Sequence, residues 1–275
     1  MQISWHKRMS RAIRGHFRSA VLSNHGIGIV TSSRNGLLVV DPKDFSISRS
    51  LLQGGSYDWP EVCWLAQRVA AHSRLVFVGA HLGALLIPIA MRSGARNIVA
   101  FEPSPQNHRL LKMNLSLNEL STVVVHHAAI GDREGQIGFT QNTVNSGNSR
   151  VSSDGEVTVP VTTLDSALPV DPTGIDLLVM DVEGFETHAI RGGAQTLERT
   201  RYFYVEYAPD QLVEQGSSPA EFIELVATKF SSMYLRADTP RFFPDKMYVN
   251  YLKNLPSRRG LLLNLLFSND PTPHF

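Results

Sequence analysis

Three carboxylates fall close together in the segment Met180-Asp181-Val182-Glu183-Gly184-Phe185-Glu186. They follow an apolar run, Ile175-Asp176-Leu177-Leu178-Val179, which reads as a buried strand of a parallel sheet. In an open α/β sheet, ligands bind outside the carboxyl ends of the strands. Acids at such an end can position a substrate, hold a cationic centre or take up a proton. A polar strand-to-helix junction would by itself favour an acid near the helix N-terminus. Gly184 between the acids points further, to a backbone bend that a simple cap does not need.

A second grouping is Val76-Phe77-Val78-Gly79-Ala80-His81-Leu82-Gly83. Gly79 directly after an apolar strand allows a tight turn, and Gly83 lets the next helix pack close with its N-terminus toward a ligand. The spacing is G-x-x-x-G, not the G-x-G-x-x-G of dinucleotide sites, and a plain strand-to-helix turn would also account for it. Glu102 ends the following strand, 23 residues past Gly79. An acid at about that distance, roughly 20 residues on, suits a bidentate grip on ribose hydroxyls. Turn and acid together point to a nucleoside-containing cofactor.

The elements that must position these groups follow from the apolar pattern. From Ser73 onward strands and helices alternate: strand Leu75–Val78, helix Leu85–Arg92, strand Asn97–Phe101, then a helix capped by Ser104 with Pro105 at its first position. Leu110, Met113 and Leu117 are its expected buried face. Strands Val123–His127, Gln136–Phe139 and Val157–Val161 come next, the first two separated from the third by a polar segment, Thr140–Ser153. Then come the strands Ile175–Val182 and Tyr202–Tyr207, the latter carrying Glu206. A capping box at Ser218–Glu221 starts a helix through Lys229. Ser232–Leu235 and Met247–Leu252 are expected to pair as final strands, and Leu261–Phe267 could be a partner surface, a core strand or a helix. This alternation predicts an α/β, doubly wound sheet. Residues 1–59 are expected to form an N-terminal extension, with strands near Ile27–Val30 and Gly36–Val40, and residues 60–275 the main domain.

Composition narrows the class. The chain has 275 residues, 43% hydrophobic and 19% charged, as in soluble globular proteins. A net charge of +1 gives no global attraction to nucleic acid. Cys63 is the only cysteine, which excludes an internal disulfide and a cysteine-based zinc site and fits a reducing, cytoplasmic setting. No apolar run is long enough for a transmembrane helix, and the N-terminus lacks a signal-peptide core. Before Asp41 there is no acid, and Lys7, Arg11, Arg14 and Arg18 share one helical face. That pattern reads as a helix packed on its own domain, a partly disordered arm, or a basic amphipathic helix in peripheral contact with an anionic membrane.

Together, these segments resemble the FkbM family of S-adenosylmethionine-dependent methyltransferases. Met180–Glu186 matches the family's acidic segment throughout. The turn Gly79–Gly83, the Phe101-Glu102-Pro103 step, Ala129-Ile130-Gly131-Asp132 and Thr163-Leu164-Asp165 match further landmarks in order, over about residues 50–210. The resemblance implies a Rossmann-like, seven-stranded methyltransferase sheet, S-adenosylmethionine as cofactor and O-methylation of a hydroxyl on a small molecule, sugar or lipid-linked glycan. It places Gly79, Ala80, His81 and Gly83 around the methionine end and ribose of the cofactor, and Glu102 with Pro103 at the ribose. Ala129 would border the adenine, and Asp181 and Glu183 would lie near the methionyl group and acceptor. Two positions depart from the family pattern. Phe77 stands where an acid is usual, and His81 where Asn is usual; the lost acid would remove a contact to the cofactor's ammonium, for which Glu183 or Asp181 could compensate.

Methyl transfer from a sulfonium is an in-line displacement, and the hydroxyl loses its proton during or after it. Asp181 is the favoured base, ahead of His81, His126 and His127; His188 reads as a helix-surface or packing residue. Asn145, Asn148 and Ser149 could bond a polyhydroxylated acceptor. No dedicated metal ligand set is evident. A non-catalytic binding protein of the same fold, or less favourably an NAD-dependent oxidoreductase, remains the alternative.

Overall fold

The computed structural model describes residues 28–142, 144–170, 174–236, 240–256 and 258–270. The expected basic helix around Lys7–Arg18 lies outside the described residues. The fold opens with a hairpin, β1 (Ile29–Ser33) and β2 (Gly36–Val40), then a short turn of helix α1 (Ile47–Arg49) that runs on as a wider turn through Gly54. Helix α2 (Trp59–Ala66) leads into β3 (Arg74–Val78), α3 (Leu86–Ser93), β4 (Asn97–Phe101), α4 (Pro105–Leu117) and β5 (Val124–His126). Four strands follow: β6 (Ala129–Ile130), β7 (Gly135–Thr140), β8 (Arg150–Val151) and β9 (Val157–Thr162). After α5 (Leu164–Ala167) come β10 (Ile175–Met180), α6 (Glu186–Arg191), α7 (Ala194–Glu198), β11 (Thr200–Tyr207), α8 (Pro209–Glu214) and α9 (Pro219–Lys229). The last elements are β12 (Ser232–Arg236), β13 (Arg241–Phe243), α10 (Met247–Lys253) and β14 (Leu263–Ser268).

The main sheet runs β13-β12-β14-β11-β10-β3-β4-β5. The strands from β11 to β5 pair in parallel, and β14 lies antiparallel between β11 and β12. Without the short edge strand β13, this is the expected seven-stranded, doubly wound sheet. Its two faces are both buried, which alternation along the strands makes visible. Leu75 and Phe77 of β3 enter one apolar cluster, and Val76 and Val78 enter the other. Leu177 and Val179 of β10 likewise oppose Leu178 and Met180. Such two-sided burial is why these strands read as continuous apolar runs. The strand order reverses between β3 and β10, so the ends of these two strands mark the topological switch point.

Local chemistry sets the helix ends as expected. Ser104 accepts a hydrogen bond from Asn107 N at 3.3 Å with Pro105 in the first turn, and Ser218 accepts from Glu221 N. Gly94 closes α3 with φ of 76°, a conformation that costs a glycine little.

The structure departs from expectation in three elements. Met247–Leu252 is helix, not strand, because Tyr248 and Leu252 one turn apart are its buried residues. Ser232–Arg236 pairs instead with β13 on one side and β14 on the other, so the apolar Leu261–Phe267 stretch is largely a core strand. In α4, Met113 and Leu117 are exposed, and the buried face is Asn107, Leu110, Leu111, Asn114 and Leu115. The hairpin explains that rotation. Asn114 accepts from Val39 N at 2.6 Å and donates to Val39 O and Leu82 O. Asn118 accepts from Leu37 N and donates to Leu37 O. Two side-chain amides thus stand in for a strand along the open edge of β2, and Asn114 satisfies Val39 groups that burial would otherwise orphan. Leu38, Val40, Ile47 and Leu51 from this region join the cluster that contains Leu110 and Leu111.

Candidate active site

The register brings the chemistry-bearing segments to one level. Met180 pairs with Val78 on one side and Val205 on the other. Gly79, Asp181 and Glu206 therefore emerge beside one another from three adjacent strands. Asp181 N donates to Val78 O at 3.0 Å, and Gly79 N and Ala80 N both donate to Phe101 O at 3.0 Å. These bonds tie the turn after β3 to the ends of β10 and β4.

Glu102 is aligned from both sides. Its Oε2 accepts from His81 N at 2.7 Å and its Oε1 from Ser104 N at 2.9 Å. His81 reaches this position with φ of 52°, in the left-handed region that a non-glycine residue enters at a cost. Burial pushes the Glu102 carboxyl up to about 7, although these donors pull the other way.

The acidic segment has the bend that Gly184 suggested. Glu183 and Gly184 have φ of 54° and 95°, and a Cβ on Gly184 would lie 2.5 Å from Gln211 O. Glu186 shapes the segment from below: it is 2% exposed, and its Oε1 accepts from Val182 N and Gly184 N. Glu183 in turn accepts from Gln211 Nε2 at 3.0 Å.

These elements surround a cavity of about 240 Å³. Gly79, His81, Glu102, Pro103, Ala129, Asp181 and Glu183 all line it. Ala80 and Gly83 do not; a Cβ on Gly83 would meet Ile87 Cδ1 at 2.8 Å, so that glycine lets α3 close on the turn. Asn145, Asn148, Ser149 and Arg150 from the polar segment also line it. His126 stacks on Phe101 and His127 stacks on His108, neither of them in the cavity wall. His188 contacts Asp132 and Gln215 O on the helix surface, as its sequence context suggested. Phe77 is 2% exposed and packs in the apolar core.

Sequence reasoning passed over Glu206, Tyr57 and Gln211 as cavity residues. Glu206 had a usable signal, an acid at the end of the strand after the acidic segment. Tyr57 had none, because its placement depends on Asn35, which donates to Tyr57 O and Ala84 O and accepts from Tyr57 N.

The electrostatics are dominated by crowded acids. Burial, then Asp58, raises Asp181 to about 6. Burial, then Asp181, raises Glu183 to about 8 and Glu206 to about 10. Carboxylate oxygens of Asp181, Glu183 and Glu206 lie within 4.8 Å of one another, a set that could also hold a hard cation through oxygen ligands. Arg150 is the one permanent cation among the described lining residues. Burial drives His81 down to about 4, so its ring is neutral at pH 7. Such a wall favours a positively charged ligand group, since like carboxylates hold one another's protons until a cation relieves them.

A Rossmann-like sheet with a glycine turn, an acid at the end of the next strand and an acidic wall at the switch point fits a class, the methyltransferases that use S-adenosylmethionine. The family described as "Methyltransferase FkbM domain" matches residues 78–236. The chain belongs to that family. A 2-O-methyltransferase, NoeI, of Sinorhizobium fredii is 30% identical over 164 residues, which is 52% of this chain and 65% of that protein. The match thus spans just under two thirds of that relative's length. Among solved structures, M. jannaschii TYW2 in complex with AdoMet is similar with a TM-score of 0.42 and 13% identity, over 84% of this chain and 80% of that one. A protein described as a transferase from Pyrococcus horikoshii has a TM-score of 0.46 and 12% identity, over 88% and 72%.

Proposed function

We propose that this protein transfers a methyl group from S-adenosylmethionine to a hydroxyl oxygen of a small molecule, sugar or glycan. The observation that carries the reading is the convergence of Asp181, Glu183 and Glu206 beside the Gly79 turn and Glu102. The residues present suit the cofactor: an acidic wall short of cations and a carboxylate pinned by two amides line the same cavity. When bound, S-adenosylmethionine supplies an electrophilic methyl on a positively charged sulfur.

This chain's residues do the rest. Glu102 accepts from ribose hydroxyls with lone pairs that His81 N and Ser104 N leave open. The Gly79–His81 backbone, with Pro103 and Ala129, frames the remainder of the nucleoside. Glu183 serves the ammonium that Phe77, turned into the core, does not reach. Asp181 takes the acceptor proton; with its carboxyl raised to about 6, it stays mostly ionised at neutral pH yet is a stronger base than an ordinary Asp. Gln211, beside Glu183, holds an acceptor hydroxyl.

The acidic wall also bears on the acceptor class. A polyphosphate backbone would add negative charge to a wall whose acids already hold their protons for want of cations, so a neutral polyol suits the cavity better than nucleic acid. Among the described residues no helix is long and apolar enough to cross a membrane. We read residues 1–59 as an extension, residues 60–275 as the methyltransferase domain, and the setting as cytoplasmic.

Calorimetry with S-adenosylmethionine and with NAD tests the reading directly. Binding of the first and not the second supports it. Binding of NAD alone turns it to the oxidoreductase alternative, and binding of neither to a non-catalytic role.

A further inference from the structure

We propose that Asp44–Ser48 and Asn145–Ser149 form a roof over the cofactor end of the cavity, and that Asp44 is the positioning residue that clasps its two halves. The two segments are about a hundred residues apart in sequence and are joined through one carboxylate. Asp44 Oδ1 accepts from Ser46 N and from Ser146 N, both at 3.1 Å, and Oδ2 accepts from Ser48 N at 2.7 Å. Phe45 N adds a backbone bond to Val144 O at 2.8 Å. Asp44 is 3% exposed. Burial alone would raise its pKa; the amides of Ser48, Ser146 and Ser46 outweigh burial and hold it below the ordinary value. The carboxylate is therefore charged at neutral pH, and charge-assisted bonds of this kind are the strong ones.

The underside of the roof is polar and unsatisfied. Asn145 Oδ1 and Ser146 Oγ are buried without a hydrogen-bond partner among the described residues, and the His81 ring lies against Ser146. His81, Ser46, Asn145 and Ser146 line the same cavity as Glu102 and Asn107. Buried polar atoms are normally paired, so orphans gathered at one wall mark a place where a polar ligand group completes them. The chain leading into the roof is tied to the cap that aligns Glu102: Gln141 Nε2 donates to Ser104 Oγ at 3.0 Å, and Asn142 N donates to Ser149 Oγ at 3.0 Å. Asp44, Ser46 and Ile47 lie outside the family match at 78–236. One wall of the site is thus contributed from outside the matched methyltransferase region. Its role is to hold the nucleoside in place and to shed the water around it.

This inference rests on the cofactor reading above, and hydrogen exchange separates the two. In the wild-type protein, S-adenosylhomocysteine is expected to slow exchange at 44–48 and 144–149 together with 79–83 and 181–184. Protection of the strand-end loops with no change in either roof segment would overturn the roof. Protection nowhere would overturn the cofactor reading itself. Asp44→Ala is then expected to weaken S-adenosylhomocysteine binding about tenfold and speed its release, as loss of buried charge-assisted bonds should. Asp44→Asn, whose side-chain oxygen can still accept from Ser46 and Ser146, should recover part of that loss. Unchanged affinity and release in a folded Asp44→Ala protein would sink the clasp.

Discussion

Gly79 and Asp181 meet backbone to backbone: a Cβ on Gly79 would lie 1.8 Å from the carbonyl oxygen of Asp181. Gly79 also has φ of 80°, so a side chain there is strained as well as blocked. The glycine is needed because two strand ends close on each other at the switch point, not only because a ligand approaches. Gly79→Ala must push the β10 end away and with it the Asp181 carboxylate. The expected outcome is a lower melting temperature and loss of S-adenosylmethionine binding measurable by calorimetry. Wild-type affinity in that variant would contradict the contact.

Asp181→Asn removes the proposed base while keeping shape. Turnover is expected to fall about a hundredfold or more, the usual scale for losing general base help, with cofactor affinity changed much less. Single-turnover rates beside equilibrium titration separate the two quantities. Near-full turnover with unaltered binding would dismiss Asp181 as the base.

The crowded acids carry a pH signature. Glu183 and Glu206 have folded-state values raised to about 8 and about 10, mainly by burial. Between the ordinary carboxyl value and the raised one, the folded protein holds protons that the unfolded chain has released. Stability therefore falls as pH rises through that window. His81, lowered to about 4, works oppositely, but only below about 6.5, where the unfolded histidine begins to protonate. Above neutrality the acids decide the sign. The ligand-free protein should show a melting temperature that drops from pH 7 to pH 9, and Glu206→Gln should flatten the drop. A melting temperature that rises over that range would contradict the cluster.

Cationic ligands should reverse that trend. Binding of S-adenosylmethionine favours ionised carboxylates, so it should release protons near neutral pH. Calorimetry in buffers of different ionisation enthalpy reads the release directly. The neutral thioether product, S-adenosylhomocysteine, should release fewer.

Asn114 is buried at 0% exposure and makes three hydrogen bonds, two of them to Val39. Asn114→Ala leaves the Val39 amide and two carbonyls without that partner. A loss of about 2–3 kcal/mol in denaturant unfolding is expected. A loss within experimental error would mean that the hairpin does not depend on α4.

Much of this was legible from the sequence, for definable reasons. Asn97–Phe101 is bounded by a glycine-closed helix before and a Ser-Pro cap after, and its bounds came out as expected. The acidic segment announced its bend through Gly184. What escaped notice depended on contacts distant in sequence. Helix α4 was turned the wrong way because the helical period counts Met113 and Leu117 but gives no weight to Asn114, which is buried only because β2 lies against it. Met247–Leu252 has strand-like residue types, and the one-turn spacing of Tyr248 and Leu252 was the signal that should have outweighed them. In the site, Gly79, Glu102, Asp181 and Glu183 at the strand ends and Asn145, Asn148 and Ser149 of the polar segment are read from the sequence, whereas Glu206, Tyr57 and Asp44 are not. Loop geometry set by side-chain hydrogen bonds across the fold leaves no periodic trace.

The position of β14 has a consequence for biosynthesis. It lies between β11 and β12, which precede it in the chain and do not pair with each other. A nascent polypeptide halted before Leu263 leaves β11 with an open apolar edge that includes Phe203 and Val205. Unpaired edges of that kind are templates for association with other chains. The polypeptide must therefore travel to Ser268 before the sheet can be sealed, and truncated products should be substrates for chaperones and proteases.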